Sequence, residues 1–229
     1  MLFEVPQTEL AVRGSDERFP VRRVFCVGRN YAEHSREMGH DPDREPPFFF
    51  MKPADALVQC APGTVTGIAY PPLTSNLHHE VELAVAIGTA AVEVMPERAL
   101  DVVWGYGVAL DLTRRDLQDE AKSLRRPWDL SKGFDESAPI SELVPVAEIG
   151  HPATGGIRVA VNGAVRQRGD LAQQIWSAPE IIAELSKSVA LRPGDIILTG
   201  TPSGVSALER GDRVVAEIDG VASFECLID

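Results

Sequence analysis

Apolar and polar positions alternate with period two over much of this chain. Gly, Pro, Asn-Gly and Asp-Gly punctuate the runs, a rhythm that predicts short β-strands joined by turns. Residues 21–27 read as a strand ending at Gly28, and residues 48–52 as another. Between them, residues 30–38 read as a short helix with Asn30 as N-cap and Gly39 as its stop, followed by a polar, proline-rich loop over 40–47. Residues 71–76 form a turn-rich lead into Leu77-His-His-Glu-Val-Glu-Leu83, which runs on through Ala, Val and Ile as a buried strand. Residues 96–102 read as a brief helix. Residues 106–112 read as an apolar strand entering a charged helix start, Thr113-Arg-Arg-Asp116. Residues 157–161 alternate, turn at Asn162-Gly163 and return through Val165 and Gln167, which predicts a hairpin. Ser177-Ala-Pro-Glu180 is a capping box that opens a helix with Ile181, Ile182, Leu185 and Val189 on its apolar face. Residues 196–198 form a buried strand before Thr199-Gly-Thr-Pro-Ser-Gly204, and a last hairpin turns at Asp219-Gly220. Many hairpins, few helices and no regular strand–helix–strand alternation predict an α+β protein around an antiparallel or mixed β core. Residues 1–20 read as an extension packed on a main domain of residues 21–229.

The chemistry concentrates in a few places. On a strand, Glu80 and Glu82 share a face. Two carboxylates in an apolar setting call for a partner, and a hard divalent cation such as Mg²⁺ or Mn²⁺ suits them. A surface strand with two solvated Glu is the alternative. Asp111, at the end of an apolar strand, supplies a third carboxylate, or else the N-cap of the helix that follows. At helical spacing Asp111, Arg115 and Gln118 share one face. Lys132, between Ser131 and Gly133-Phe134, reads as a Lys in a partly buried turn that needs a charged neighbour or a lowered pKa. Ordinary surface polarity also explains Arg115, Gln118 and Lys132. His34 and Glu37, spaced i,i+3, read as a general-base dyad or as a weak surface pair. The 199–204 stretch, with its amides and Thr201, reads as a carboxylate-binding turn or a plain tight turn.

Composition narrows the classes. With 229 residues, 44% of them hydrophobic, the chain is long enough for a sizeable core. A net charge of −12 argues against nucleic acid and anionic membranes as partners. Cys26, Cys60 and Cys226 are far apart, so isolated core thiols are expected rather than disulfides or structural zinc. No apolar run reaches transmembrane length, and the first residues lack the basic and apolar regions of a signal peptide, which sets a cytoplasmic expectation. No glycine-rich nucleotide fingerprint occurs.

Gly28-Arg-Asn-Tyr-Ala-Glu-His34, Met51-Lys-Pro53, His78-His-Glu-Val-Glu-Leu83, Leu110-Asp-Leu-Thr-Arg-Arg-Asp116, Ser131-Lys-Gly-Phe134 and Gly194-Asp-Ile-Ile-Leu-Thr-Gly-Thr-Pro202 occur in this order. Together they resemble the fumarylacetoacetate hydrolase superfamily in its short, single-domain acylpyruvase branch. The segment running from Gly39 to Phe50 further resembles bacterial fumarylpyruvate hydrolases of gentisate breakdown. The resemblance implies a mixed β-roll or β-sandwich core with a few short helices, and a homodimer. It implies that Glu80, Glu82 and Asp111 bind Mg²⁺ or Mn²⁺. His34 and Glu37, on a lid helix, would activate water; Lys132 and Gln118 would steady the oxyanion; Arg115 and Thr201, with Arg29 of the first motif, would hold the substrate. Arg44 is the candidate cation for a distal carboxylate. The implied substrate is a small anionic 2-oxo acid, fumarylpyruvate, cleaved to fumarate and pyruvate. Acetylpyruvate hydrolysis, oxaloacetate decarboxylation, isomerisation or decarboxylation of 2-oxo-dienoates, and non-catalytic metal-dependent binding are the alternatives.

Overall fold

All seven residues of the strand Val81–Ile87 are buried, because the strand has a core on each face. Its odd positions, Val81, Leu83, Val85 and Ile87, enter one hydrophobic cluster; Ala84 and Ala86 enter another. Burial on both faces turns the expected alternation into a nearly continuous apolar run, Val-Glu-Leu-Ala-Val-Ala-Ile. The one charged residue in that run, Glu82, lies on the alanine side.

The computed structural model describes residues 2–38 and 45–229. The expected helix stop at Gly39 and candidate Arg44 lie outside the described residues. Val81–Ile87 sits mid-sheet in an eight-stranded sheet whose main path runs Phe48–Lys52, Arg23–Gly28, Asp195–Leu198, Val81–Ile87, Val103–Leu110, Ala138–Ile140, Leu57–Gln59. Two of its pairings are parallel and the others antiparallel. A five-stranded sheet, ordered Ala164–Asp170, Gly156–Val161, Arg213–Ile218, Ala222–Ile228, Val65–Ile68, covers one face. Ile157, Val159, Val214 and Ile218 meet Leu83, Val85, Val108 and Ile197 there. The other face is covered in part by the hairpin Glu9–Val12/Ser15–Pro20, which sends Leu10, Val12 and Phe19 against Val24, Ala84 and Ile196. This is the mixed β-roll and sandwich of the expected α+β class.

Local signals hold where the chemistry is local. The Asn162-Gly163 turn has φ of 51° and 80°, the left-handed pair that a two-residue hairpin needs. The Ser177 amide donates 2.9 Å to Glu180 Oε2, closing the box at the start of Ala178–Ser188. The three cysteines are buried and free. No helix is long and apolar enough to cross a membrane among the described residues.

Asn30 does not cap a helix. The helix runs Ala32–Glu37, with Tyr31 at its N-cap position and no side-chain cap. Asn30 is buried instead, and its amide ties three segments together. Nδ2 donates to the carbonyls of Thr199 (2.7 Å) and Trp176 (2.8 Å), while Oδ1 accepts from the Trp176 amide (2.7 Å). Long-range partners outcompeted a local cap. Asn30→Ala leaves these backbone groups without partners and is expected to cost about 2–4 kcal/mol, read as a lower urea midpoint at unchanged m-value. An unaltered midpoint would contradict the tie.

Candidate active site and metal centre

The antiparallel register places Val81 opposite Leu110 and Glu82 opposite Ala109. One step beyond, the Asp111 amide donates to the Glu80 carbonyl over 2.8 Å. Glu80 and Asp111 are therefore cross-strand neighbours, and Glu82 follows Glu80 on the same face. All three are buried, and they offer carboxylate oxygens within 4.8 Å of one another. Glu80 and Glu82 are not on a solvated surface strand, and Asp111 is not an N-cap.

Three buried carboxylates repel unless cations answer them. Lys132 Nζ donates to Glu80 Oε2 and to Asp111 Oδ2, both at 2.7 Å. Arg115 donates through Nη2 to Glu80 Oε1. Lys52 Nζ lies 2.8 Å from Asp111 Oδ1 but out of line for a hydrogen bond, so that buried oxygen has no aligned donor. The Lys52 ammonium donates instead to the carbonyls of Leu112 (3.1 Å) and Lys132. Burial alone would raise the Glu80 carboxyl; Lys132 and Arg115 outweigh it and hold Glu80 well below the usual carboxylate range. Lys132 is held above its ordinary value, since Asp111 and Glu80 outweigh its burial. It thus meets its expectation through charged neighbours, from the end of a short helix, Asp129–Lys132.

Glu82 is the exception. The Gly200 amide donates to its Oε2 over 2.6 Å, and burial, then Asp111 and Glu80, push its carboxyl well above the ordinary range. A buried carboxyl pushed up by its carboxylate neighbours, beside an Asp111 oxygen without an aligned donor, is the mark of a site that fits a metal. The all-oxygen donor set suits a hard divalent ion.

The cation wall corrects one expectation. Asp111 does not share a helical face with Arg115 and Gln118, because Thr113–Arg114 pairs with Leu77–His78 as a two-residue strand and the helix begins only at Arg115. Sheet pairing there displaced the helical start. Arg115 and Gln118 do share a face, with Arg115 Nη1 donating 2.6 Å to Gln118 Oε1. His78, drawn down to about 4 by burial and by the Arg115 guanidinium, is neutral beside it.

Opposite this wall sits the helix Ala32–Glu37. His34 Nδ1 lies 3.2 Å from Glu37 Oε2, which leaves Nε2 for the cleft. Glu37 also accepts from the Gly204 amide (3.1 and 3.2 Å). The bond to His34, with that amide, holds Glu37 below its ordinary value against burial. His34, Glu80, Glu82, Arg115, Gln118, Lys132, Thr201 and Arg29 line one cleft. Thr201 is set by a relay: His79 Nδ1 donates 2.8 Å to Gln167 Oε1, and Gln167 Nε2 donates 2.8 Å to Thr201 Oγ1.

Sequence reading missed Lys52, Gln167 and His79. Their signals were faint but present. Lys52 ends the apolar strand Phe48–Lys52 in register with Phe50. Gln167 is a fully buried polar residue on an otherwise exposed hairpin strand, aimed inward where the register slips between Val159 and Ala160.

Residues 23–228 match the family described as fumarylacetoacetate (FAA) hydrolase, C-terminal. The fumarylpyruvate hydrolase of Pseudomonas aeruginosa, whose crystal structure is in complex with Mn²⁺ and pyruvate, superposes with a TM-score of 0.98 at 51% identity, over 100% of this chain and 98% of that one. A putative fumarylpyruvate hydrolase from Burkholderia cenocepacia superposes at 0.91 and 55% identity, covering 99% and 96%. The oxaloacetate tautomerase of Escherichia coli is 42% identical over 88% of this chain and 90% of its own; the mitochondrial oxaloacetate tautomerase of Bos taurus is 43% identical over 91% and 92%.

Glu82 must ionise to ligate a metal, so Mn²⁺ binding is expected to release a proton and to weaken as pH falls through the raised Glu82 value. Calorimetry in two buffers of different ionisation enthalpy reads that proton. Buffer-independent heat would contradict it, and Glu82→Gln is expected to abolish binding.

Proposed function

The chain belongs to the fumarylacetoacetate hydrolase family, and on that premise we propose that it is a divalent-metal-dependent hydrolase of 3-acylpyruvates, with fumarylpyruvate the substrate and fumarate and pyruvate the products. The observation that carries this reading is the His34–Glu37 dyad, whose His34 lines the same cleft as Glu80, Glu82 and the donors Lys132 and Gln118. A hydrolase needs a base for water opposite an oxyanion hole, and binding alone calls for neither.

In this reading Arg115 and Thr201 bind the pyruvate carboxylate and orient the substrate. Glu37 fixes the His34 ring through Nδ1, and Nε2 takes a proton from water. The water oxygen bonds to the distal acyl carbonyl carbon, whose oxygen gathers negative charge and receives hydrogen bonds from Lys132 and Gln118. The C–C bond to the methylene then breaks. Its electron pair leaves with the pyruvyl fragment, and His34 returns its proton to that carbon. Mg²⁺ or Mn²⁺, held by Glu80, Glu82 and Asp111, supplies Lewis-acid stabilisation of the 2-oxo acid group. The same reading takes the protein as a cytoplasmic homodimer, with exposed Leu124 and Leu130 as apolar surface for a second copy.

Tautomerisation of oxaloacetate is the second reading, favoured by the tautomerases at 42–43% identity. It exchanges a proton between carbon and oxygen and needs no attacking water.

Pyruvate release from fumarylpyruvate, acetylpyruvate and oxaloacetate, with Mg²⁺ or Mn²⁺ and with EDTA, separates the readings. Metal-dependent release fastest from fumarylpyruvate is expected. Loss of the oxaloacetate enol absorbance without pyruvate release from any substrate would favour the tautomerase. His34→Ala is expected to lower kcat for hydrolysis by about 10²–10⁴ while leaving Mn²⁺ affinity nearly unchanged. Normal hydrolysis in that variant would remove His34 as the base.

A further inference from the structure

An aromatic wall runs from the cleft, lined by Phe50 and Trp128, to Phe48 in the pocket beside it, and carries a cation at each end. Phe48 and Phe50 stand two residues apart on Phe48–Lys52, so their rings share a face about 7 Å apart along the strand. Trp128 meets both edge-on, with centroids 5.3 Å from Phe48 and 5.7 Å from Phe50. Lys132 Nζ, at the carboxylate triad, lies 5.0 Å from the Phe50 centroid. The Arg29 guanidinium lies 5.4 Å from the Phe48 centroid, at the far end.

Arg29 is held there by its backbone. Its φ is +58°, a conformation costly for a side chain with a Cβ. Gly28 before it has the tip of the Phe48 ring where a Cβ would stand, with Cζ 2.0 Å from that position. Arg29 is half-buried, and among the described residues it makes no ion pair. It lines both the triad cleft and an adjoining pocket bounded by Pro46, Phe48 and Trp176. A guanidinium without a counter-ion among the described residues, set over an aromatic ring beside a site for anionic substrates, suits a second anionic group.

We propose that Arg29 is a specificity-determining residue that receives the distal carboxylate of a dicarboxylic acylpyruvate, its flat conjugated acyl chain lying along the Phe50–Trp128–Phe48 wall. This rests on the acylpyruvate reading above. The placement supports it: Lys132 stands against Phe50 and Arg29 against Phe48, so a substrate lying along the two rings with an anionic group at each end meets a cation at each. Lys122, the other cation near the wall, is 5.6 Å from the Trp128 centroid and already has Asp119 at 3.4 Å.

The test is binding, which separates it from hydrolysis. 2-Oxoheptanedioate and 2-oxoheptanoate have the length of fumarylpyruvate, differ only in the terminal carboxylate, and lack the carbonyl that water attacks. With Mg²⁺ present, the protein is expected to bind the diacid about tenfold more tightly. Arg29→Met, which keeps the stem and the backbone demand, is expected to erase that preference while changing monoacid affinity less than about twofold. Arg29→Lys should restore part of it, and Lys122→Met should keep it. No preference in the parent protein, or a preference that survives Arg29→Met, overturns the assignment. A preference lost equally in Lys122→Met also overturns it. A protein with the preference but no pyruvate release would retain Arg29 as the receptor and lose the hydrolase reading; pyruvate release without the preference would do the reverse.

Discussion

Lys132 bridges Glu80 and Asp111 at 2.7 Å in a region closed to water, and the site depends on that bridge. The strand register that makes Glu80 and Asp111 neighbours would by itself bring two charges together in a low dielectric. With Arg115 on Glu80 and Lys52 beside Asp111, three cations face three carboxylates. Removing one partner of such a network costs about 3–5 kcal/mol, because the charge left behind stays buried. The compensation is uneven. Glu80 has two cations in contact, while Glu82 has an amide and no cation. That imbalance suits the centre to a divalent ion.

The sheet explains why these charges can be held so closely. Glu82 lies on the face occupied by Ala84, Ala86 and Ala109, whose small side chains leave room near the strand ends. Gly200 has φ of +94° and a Cβ there would come within 2.7 Å of Asn30, so its amide reaches Glu82 only because it is glycine. Asn30 in turn ties the approach to the His34 helix to the Thr199 and Trp176 segments. The dyad and the triad are thus fixed to each other through backbone contacts that lie outside the chemistry.

Much of this was legible in the sequence, and what was not follows a pattern. The Glu80-Val-Glu82 alternation, the Asn162-Gly163 turn and the Ser177 box are short-range signals, and each is present in the structure. The resemblance to the family identified the cluster that the cleft brings together. Three readings needed long-range knowledge. Asn30 looked like a cap because its amide partners lie about 150 residues away. The Asp111–Arg115–Gln118 face assumed helix where Thr113 and Arg114 pair with Leu77 and His78. Lys52 gave only a faint hint of its role, its place at the end of an apolar strand, since a strand-end Lys reads as solvent-exposed until the neighbours that bury it are known.

The direct measurement is anomalous diffraction from crystals grown with Mn²⁺, where one strong manganese peak is expected within coordination distance of Glu80, Glu82 and Asp111 together. A peak elsewhere, or an empty triad in crystals whose dissolved protein retains Mn²⁺, would contradict it.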